Sequence, residues 1–172
     1  MSSRKELKSD VWALFVSLFG GVCFGMGAGI IAGILGEPRF LELSSGQSGL
    51  FSASLVYGIA FGSILPAFLA DIVGRKLIFI IAGFESFLFH IILAFMNSTA
   101  ACIVMRALAG IGIGAITTLA PSYTAELASD KRRSILLGLY QVNITIGIAL
   151  GYLFNIPFNY VSDGWRFKFE LI

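Results

Sequence analysis

Five stretches of this chain carry no charged residue: 11–36, 43–70, 86–105, 107–125 and 134–162. As a helix rising ~1.5 Å per residue, the first reaches roughly 40 Å, more than the ~30 Å hydrocarbon core of a bilayer. Only 13% of the residues are charged and 57% are hydrophobic, whereas soluble domains carry about 25% charged residues. The pattern predicts an all-α, polytopic membrane helical bundle. Glu85 and Arg106 interrupt helices rather than bound them, so five spans are expected near 11–35, 48–70, 77–96, 100–123 and 135–156. Residues 1–10 read as a cytoplasmic segment and 11–156 as a five-helix transmembrane domain. Residues 157–172 read as an extracytoplasmic loop and the start of a sixth helix left incomplete.

The first apolar run is too long for the roughly 7–15-residue core of a cleavable signal. One side of the predicted bundle holds eight cations: Arg4, Lys5, Lys8, Arg75, Lys76, Lys131, Arg132 and Arg133. The other holds Arg39, Arg166 and Lys168. The positive-inside rule then makes the N-terminus cytoplasmic. The links are short, so consecutive helices are expected to be antiparallel neighbours. No basic face is available for a nucleic acid. Cys23 and Cys102 lie in apolar runs without metal-ligand spacing and read as small packing residues. No metal or cofactor is expected. Two glycosylation sequons occur, at Asn97 near the membrane and at Asn143 inside a span. Neither placement suits modification.

The run Gly62 to Ala70 is closed by Asp71-Ile-Val-Gly74-Arg75-Lys76, a tight charged turn between two apolar segments. Such a turn suits a short cytoplasmic loop that clamps neighbouring helices. Gly21, Gly25, Gly29 and Gly33 form a smooth stripe on the first span, and close backbone approach matters where lipid removes most of the hydrophobic drive. The stripe serves static packing or a sliding contact. Gly110, Gly112 and Gly114 loosen the fourth span in the same way.

A charge at the bilayer centre costs about 2.5–3.5 kcal/mol on insertion scales, so Arg106 needs an explanation. It either snorkels to headgroups or finds a partner in a polar cavity. His90 matches its height and Glu85 its charge, and the sequence leaves both open. Either can instead be a satisfied core residue, and a desolvated Glu85 can carry a proton. On the fifth span Gln141, Ile144, Thr145 and Ile148 share one face. That mixture suits a polar solute with apolar faces, such as a sugar. It equally suits an interhelical hydrogen bond from Gln141.

The spaced set Arg106, Gly110, Pro121, Tyr123, Glu126, Arg133 and Gln141 resembles the sugar porter family of the major facilitator superfamily. The Asp71 turn looks like that family's loop between helices two and three, and Asp163-Gly-Trp-Arg-Phe resembles the start of its helix six. The resemblance covers about residues 15–170. It implies the N-terminal half of a twelve-helix carrier, with substrate at the midplane between two halves. It further implies sugar contacts at Phe24, Gln141, Ile144 and Ile148. Asp71, Gly74, Arg75, Lys76, Glu126 and Arg133 would form the cytoplasmic charge network that holds the halves together.

Three positions depart from the family pattern. Gly27 stands where proton-coupled members carry an Asp, so Arg106 lacks its usual partner and the chain resembles a facilitator. Ala67 and Ser134 replace usual glycines and are mild changes. The expected function is alternating-access transport of a hexose or related sugar across a lipid bilayer, with this chain inactive alone. The alternative is a non-transporting module that joins a complementary C-terminal half or a full-length carrier.

Overall fold

The computed structural model describes residues 2–35, 44–96 and 98–158. They form five helices and, among the described residues, no strand. These are α1 (Ser2–Leu35), α2 (Ser45–Val73), α3 (Arg75–Ala94), α4 (Thr99–Leu127) and α5 (Arg133–Phe158). All five expected spans lie within or largely within these helices, and α1, α2, α4 and α5 extend further. Residues 2–10 are helical and belong to α1. The Asn97 sequon and the Asp163-Gly-Trp run lie outside the described residues. Among the described residues four helices are long and apolar enough to cross a membrane: Leu7–Ile31 within α1, α3, α4 and Arg133–Pro157 within α5. α2 is 29 residues long and Asp71 is its one charged residue.

Local chemistry explains the ends. Ser44 and Gln47 make a reciprocal capping box at the start of α2, with Ser44 N–H donating to Gln47 Oε1 at 3.0 Å. Gly74 has φ of 103°, which a residue with a Cβ rarely adopts, and turns the chain from α2 into α3. Its N–H still donates to Ala70 O at 3.0 Å, so the turn leaves that donor satisfied.

The helix pairing differs from the sequence expectation. α1 packs mainly on α5, and α2 mainly on α4, while α2 and α3 touch only lightly. Gly21 meets Asn143, Gly25 meets Gly147 and Gly29 meets Gly151. Both numbers rise together, so α1 and α5 run parallel. Gly58 against Ala107 and Gly62 against Ile111 show the same for α2 and α4. Only α3 and α4 form the expected antiparallel hairpin as a main contact. The reason is backbone proximity. A Cβ added at Gly25 would lie 2.1 Å from Ile144 O, and one at Gly58 would lie 2.0 Å from Ala107 O. Helices settle where small residues face each other, whatever their order in the chain. Gly110 and Gly114 receive α2, and Gly112 receives α3.

Candidate functional site

Antiparallel packing brings the start of α1, the α2–α3 turn, the end of α4 and the start of α5 to one end of the bundle. Arg75 is the first residue of α3. Its Nε lies 2.9 Å from Glu126 Oε1 near the end of α4, and its Nη2 lies 3.5 Å from Asp71 Oδ1. Arg75 thus ties the α2–α3 turn to α4. Lys76 and Tyr123 border the same cleft, about 430 Å³ in volume. Arg133 belongs to a neighbouring arrangement. Its Nη2 pairs with Asp130 at 2.9 Å and its Nε donates to Ala125 O at 2.9 Å, which closes the end of α4 onto the start of α5.

Sequence reasoning missed a third cluster at this end. Asp10 is buried although it lies in the charged N-terminal stretch. Its Oδ1 accepts the Ser129 N–H at 2.7 Å, and its Oδ2 accepts Ser129 Oγ at 3.1 Å and Arg132 Nη1 at 3.3 Å. Ser9 Oγ donates to Leu127 O beside it. The available signal was position: Asp10 is the last charge before the first apolar run.

Arg106 is only 1% exposed. Its guanidinium carbon stands 5.0 Å from the centre of the Phe51 ring, and Nε and Nη1 have no hydrogen-bond partner. It does not snorkel, and no ion pair joins it to Glu85 among the described residues. The cation finds a π-face instead, an attraction of about 0.5–2 kcal/mol depending on desolvation. His90 is buried and bonded to its own helix, Nδ1 to Ser86 O at 2.8 Å. The α3–α4 register sets Glu85 beside Gly112 and so brings His90, not Glu85, level with Arg106.

The residues implied as sugar contacts occupy two places. Gln141 is exposed on α5, with Thr145 Oγ1 donating to its backbone carbonyl at 3.2 Å. Ile144 packs against the Val16, Ala120 and Tyr140 cluster, and the Ile148 backbone backs onto Gly25 and Gly29. Phe24 borders a cavity of about 190 Å³ with Cys23, Ser86, Phe87 and Ile113 between α1, α3 and α4. Asn143, the second sequon, is buried at the α1–α5 contact. Among the described residues no group of three His, Cys, Asp or Glu side chains stands close enough to hold a metal.

Comparison with known proteins matches residues 12–172 to a family described as sugar (and other) transporter. The chain is 32% identical over 171 residues to myo-inositol transporter 2 of Schizosaccharomyces pombe, a match covering 97% of this chain and 31% of that protein. It is 30% identical to the D-xylose transporter of Levilactobacillus brevis, covering 92% of this chain and 35% of that protein. The arabinose-proton symporter of Escherichia coli is also 30% identical, over 96% of this chain and 35% of its own length. The inward-open xylose transporter of E. coli superposes with a TM-score of 0.83 at 24% identity, over 94% of this chain and 44% of that one. At that identity the likeness is one of fold. The chain spans about a third of the length of the curated relatives it matches.

Proposed function

Because the chain belongs to the sugar (and other) transporter family, we propose that it supplies the first membrane helices of a carrier that moves a sugar by alternating access. It is an integral, multi-pass membrane protein of the major facilitator fold, and its relatives are carriers rather than enzymes. The observation that carries the reading is the Arg75–Glu126 and Arg75–Asp71 cluster, which ties the α2–α3 turn to the end of α4. Charge-assisted pairs of this kind bias a conformation modestly when solvent-exposed and can exchange partners when helical halves rock. Glu126 and Arg133 stay half exposed, so both remain available to a further set of helices.

In this reading the charged end is cytoplasmic, and residues 11–156 are the membrane domain. Gln141, Ile144 and Ile148 on α5 and Phe24 on α1 contact the sugar. The relatives named for inositol, xylose and arabinose all handle polyhydroxy solutes, which fits an amide beside aliphatic surface. Gly27 in place of a carboxylate favours a facilitator. The five helices alone do not transport, because their α2 and α5 faces lack the opposing half of the path.

The exposed α2 stripe of Phe61, Phe68 and Ile72 favours a second reading, a module that joins a complementary half or a full-length carrier. Labelled-sugar uptake into vesicles, with this chain alone and then co-reconstituted with a seven-helix C-terminal portion of a relative, tests both. Uptake only with the second portion is expected. Uptake by the chain alone would overturn its proposed inactivity, and no uptake in either case would remove support for the carrier reading.

A further inference from the structure

Glu85 lies in the middle of α3, ten residues from Arg75, or about 15 Å along the helix. Its Oε2 is buried and has no hydrogen-bond partner. The side chain occupies the notch that Gly112 leaves in α4: a Cβ added there would lie 2.1 Å from Oε2 and 2.5 Å from Ala82 O.

Among the described residues no cation is placed to compensate a charge there. α3 packs on α4 and lightly on α2. In its membrane part α4 offers Arg106, six residues from Gly112 and so about 9 Å along the helix, where it faces Phe51. Cys102 lies further still. α2 offers Tyr57, which is exposed, and Asp71 at the turn. On α1, Cys23 borders the adjoining cavity with Ser86. On α3 itself, His90 is bonded to Ser86 O, and Arg75 and Lys76 lie at the helix start.

We propose that Glu85 is a proton-binding site at the α3–α4 contact. A hydronium ion gives its proton to the carboxylate, leaving water and the neutral acid, and the acid returns that proton to water when the site empties. The neutral form suits the notch for two reasons. An unpaired carboxylate is disfavoured where lipid and protein exclude water. A protonated Oε2 also gains a donor, and Ala82 O stands beside the same notch to accept it. Loss of the proton leaves an unpaired carboxylate in the notch. The site is independent of any sugar and does not rest on the carrier reading.

Infrared spectra of the chain reconstituted in lipid vesicles test it. A carboxylic-acid C=O band is expected at neutral pH. It should vanish in Glu85→Gln, persist in Glu126→Gln and bleach in strongly alkaline medium. A wild-type spectrum without the band, or a band unchanged in Glu85→Gln, would overturn the proposal. If Glu85→Gln does not insert, carboxyl-13C glutamate NMR of the wild type decides. One carboxyl carbon should stay protonated at neutral pH, and finding all of them ionised would refute the site.

Discussion

Arg75 reaches Glu126 across the α3–α4 contact, Nε to Oε1 at 2.9 Å, while the same guanidinium keeps Asp71 at 3.5 Å. One side chain therefore joins the end of α2, the start of α3 and the end of α4. Glu126 is 52% exposed, so solvent screening keeps the pair within about 0.2–1 kcal/mol. A double-mutant cycle of Arg75→Ala and Glu126→Ala in thermal unfolding should give a coupling in that range. A coupling near zero would mean the pair holds nothing.

Gly25 and Gly58 are predicted to be intolerant. In Gly25→Ala the new methyl meets the Ile144 carbonyl, and α1 must move from α5. Overpacking of this kind costs about 1–3 kcal/mol. Gly83 and Gly138 have open space at the Cβ position. Alanine there should be neutral, or stabilising by up to about 1 kcal/mol through helix propensity. Thermal unfolding in detergent separates the two classes, and equal effects at all four sites would contradict the packing.

Arg106 should be replaceable by an apolar residue of similar length. Its buried guanidinium has two unpartnered nitrogens and, among the described residues, no ion pair with a carboxylate, and buried charges often cost more in desolvation than they return. Arg106→Met is expected to leave stability unchanged or raise it. Phe51→Ala opens a cavity in the cluster of Ile30, Ile34 and Leu93 and should cost about 3–5 kcal/mol. A large loss from Arg106→Met in thermal unfolding would show that the cation stabilises the fold.

Asp10 caps the α4–α5 turn from α1. Asp10→Ala removes the acceptor of the Ser129 N–H, and amide exchange over residues 128–133 should speed up. Asp10→Asn keeps one acceptor oxygen and should show a smaller increase. Unchanged exchange in Asp10→Ala would remove the role assigned to it.

The helices were legible because a bilayer leaves so few alternatives to a long uncharged run. Their ends were not, since a helix passes into water without needing apolar residues. α1 begins at Ser2 and α4 runs to Leu127 for that reason. The glycine stripe on α1 marked a packing face but named no partner, because a smooth face fits any other smooth face. Only the register of Gly25 against Gly147 supplies the answer. Arg106 reads as costly from the sequence, yet its aromatic partner Phe51 lies far away in the chain and carries no charge to announce itself. Asp10 gives no local sign of burial, because a carboxylate near lysines in a terminal segment reads as solvated. The Arg75 cluster was the most readable part, since the turn brings Asp71 and Arg75 together locally.

The parallel pairing of α1 with α5 sets a timetable for assembly. Gly25 and Gly147 are 122 residues apart in the chain (147 minus 25). At about 5–20 residues per second, α1 waits roughly 6–25 s after its own synthesis before its partner emerges. During that interval its glycine face has only lipid, or the insertion machinery, against it. Of the five helices described, α1 is made earliest and its main neighbour α5 latest. Any change that lets α1 settle early against α2 or α3 would trap the newborn chain before α5 exists.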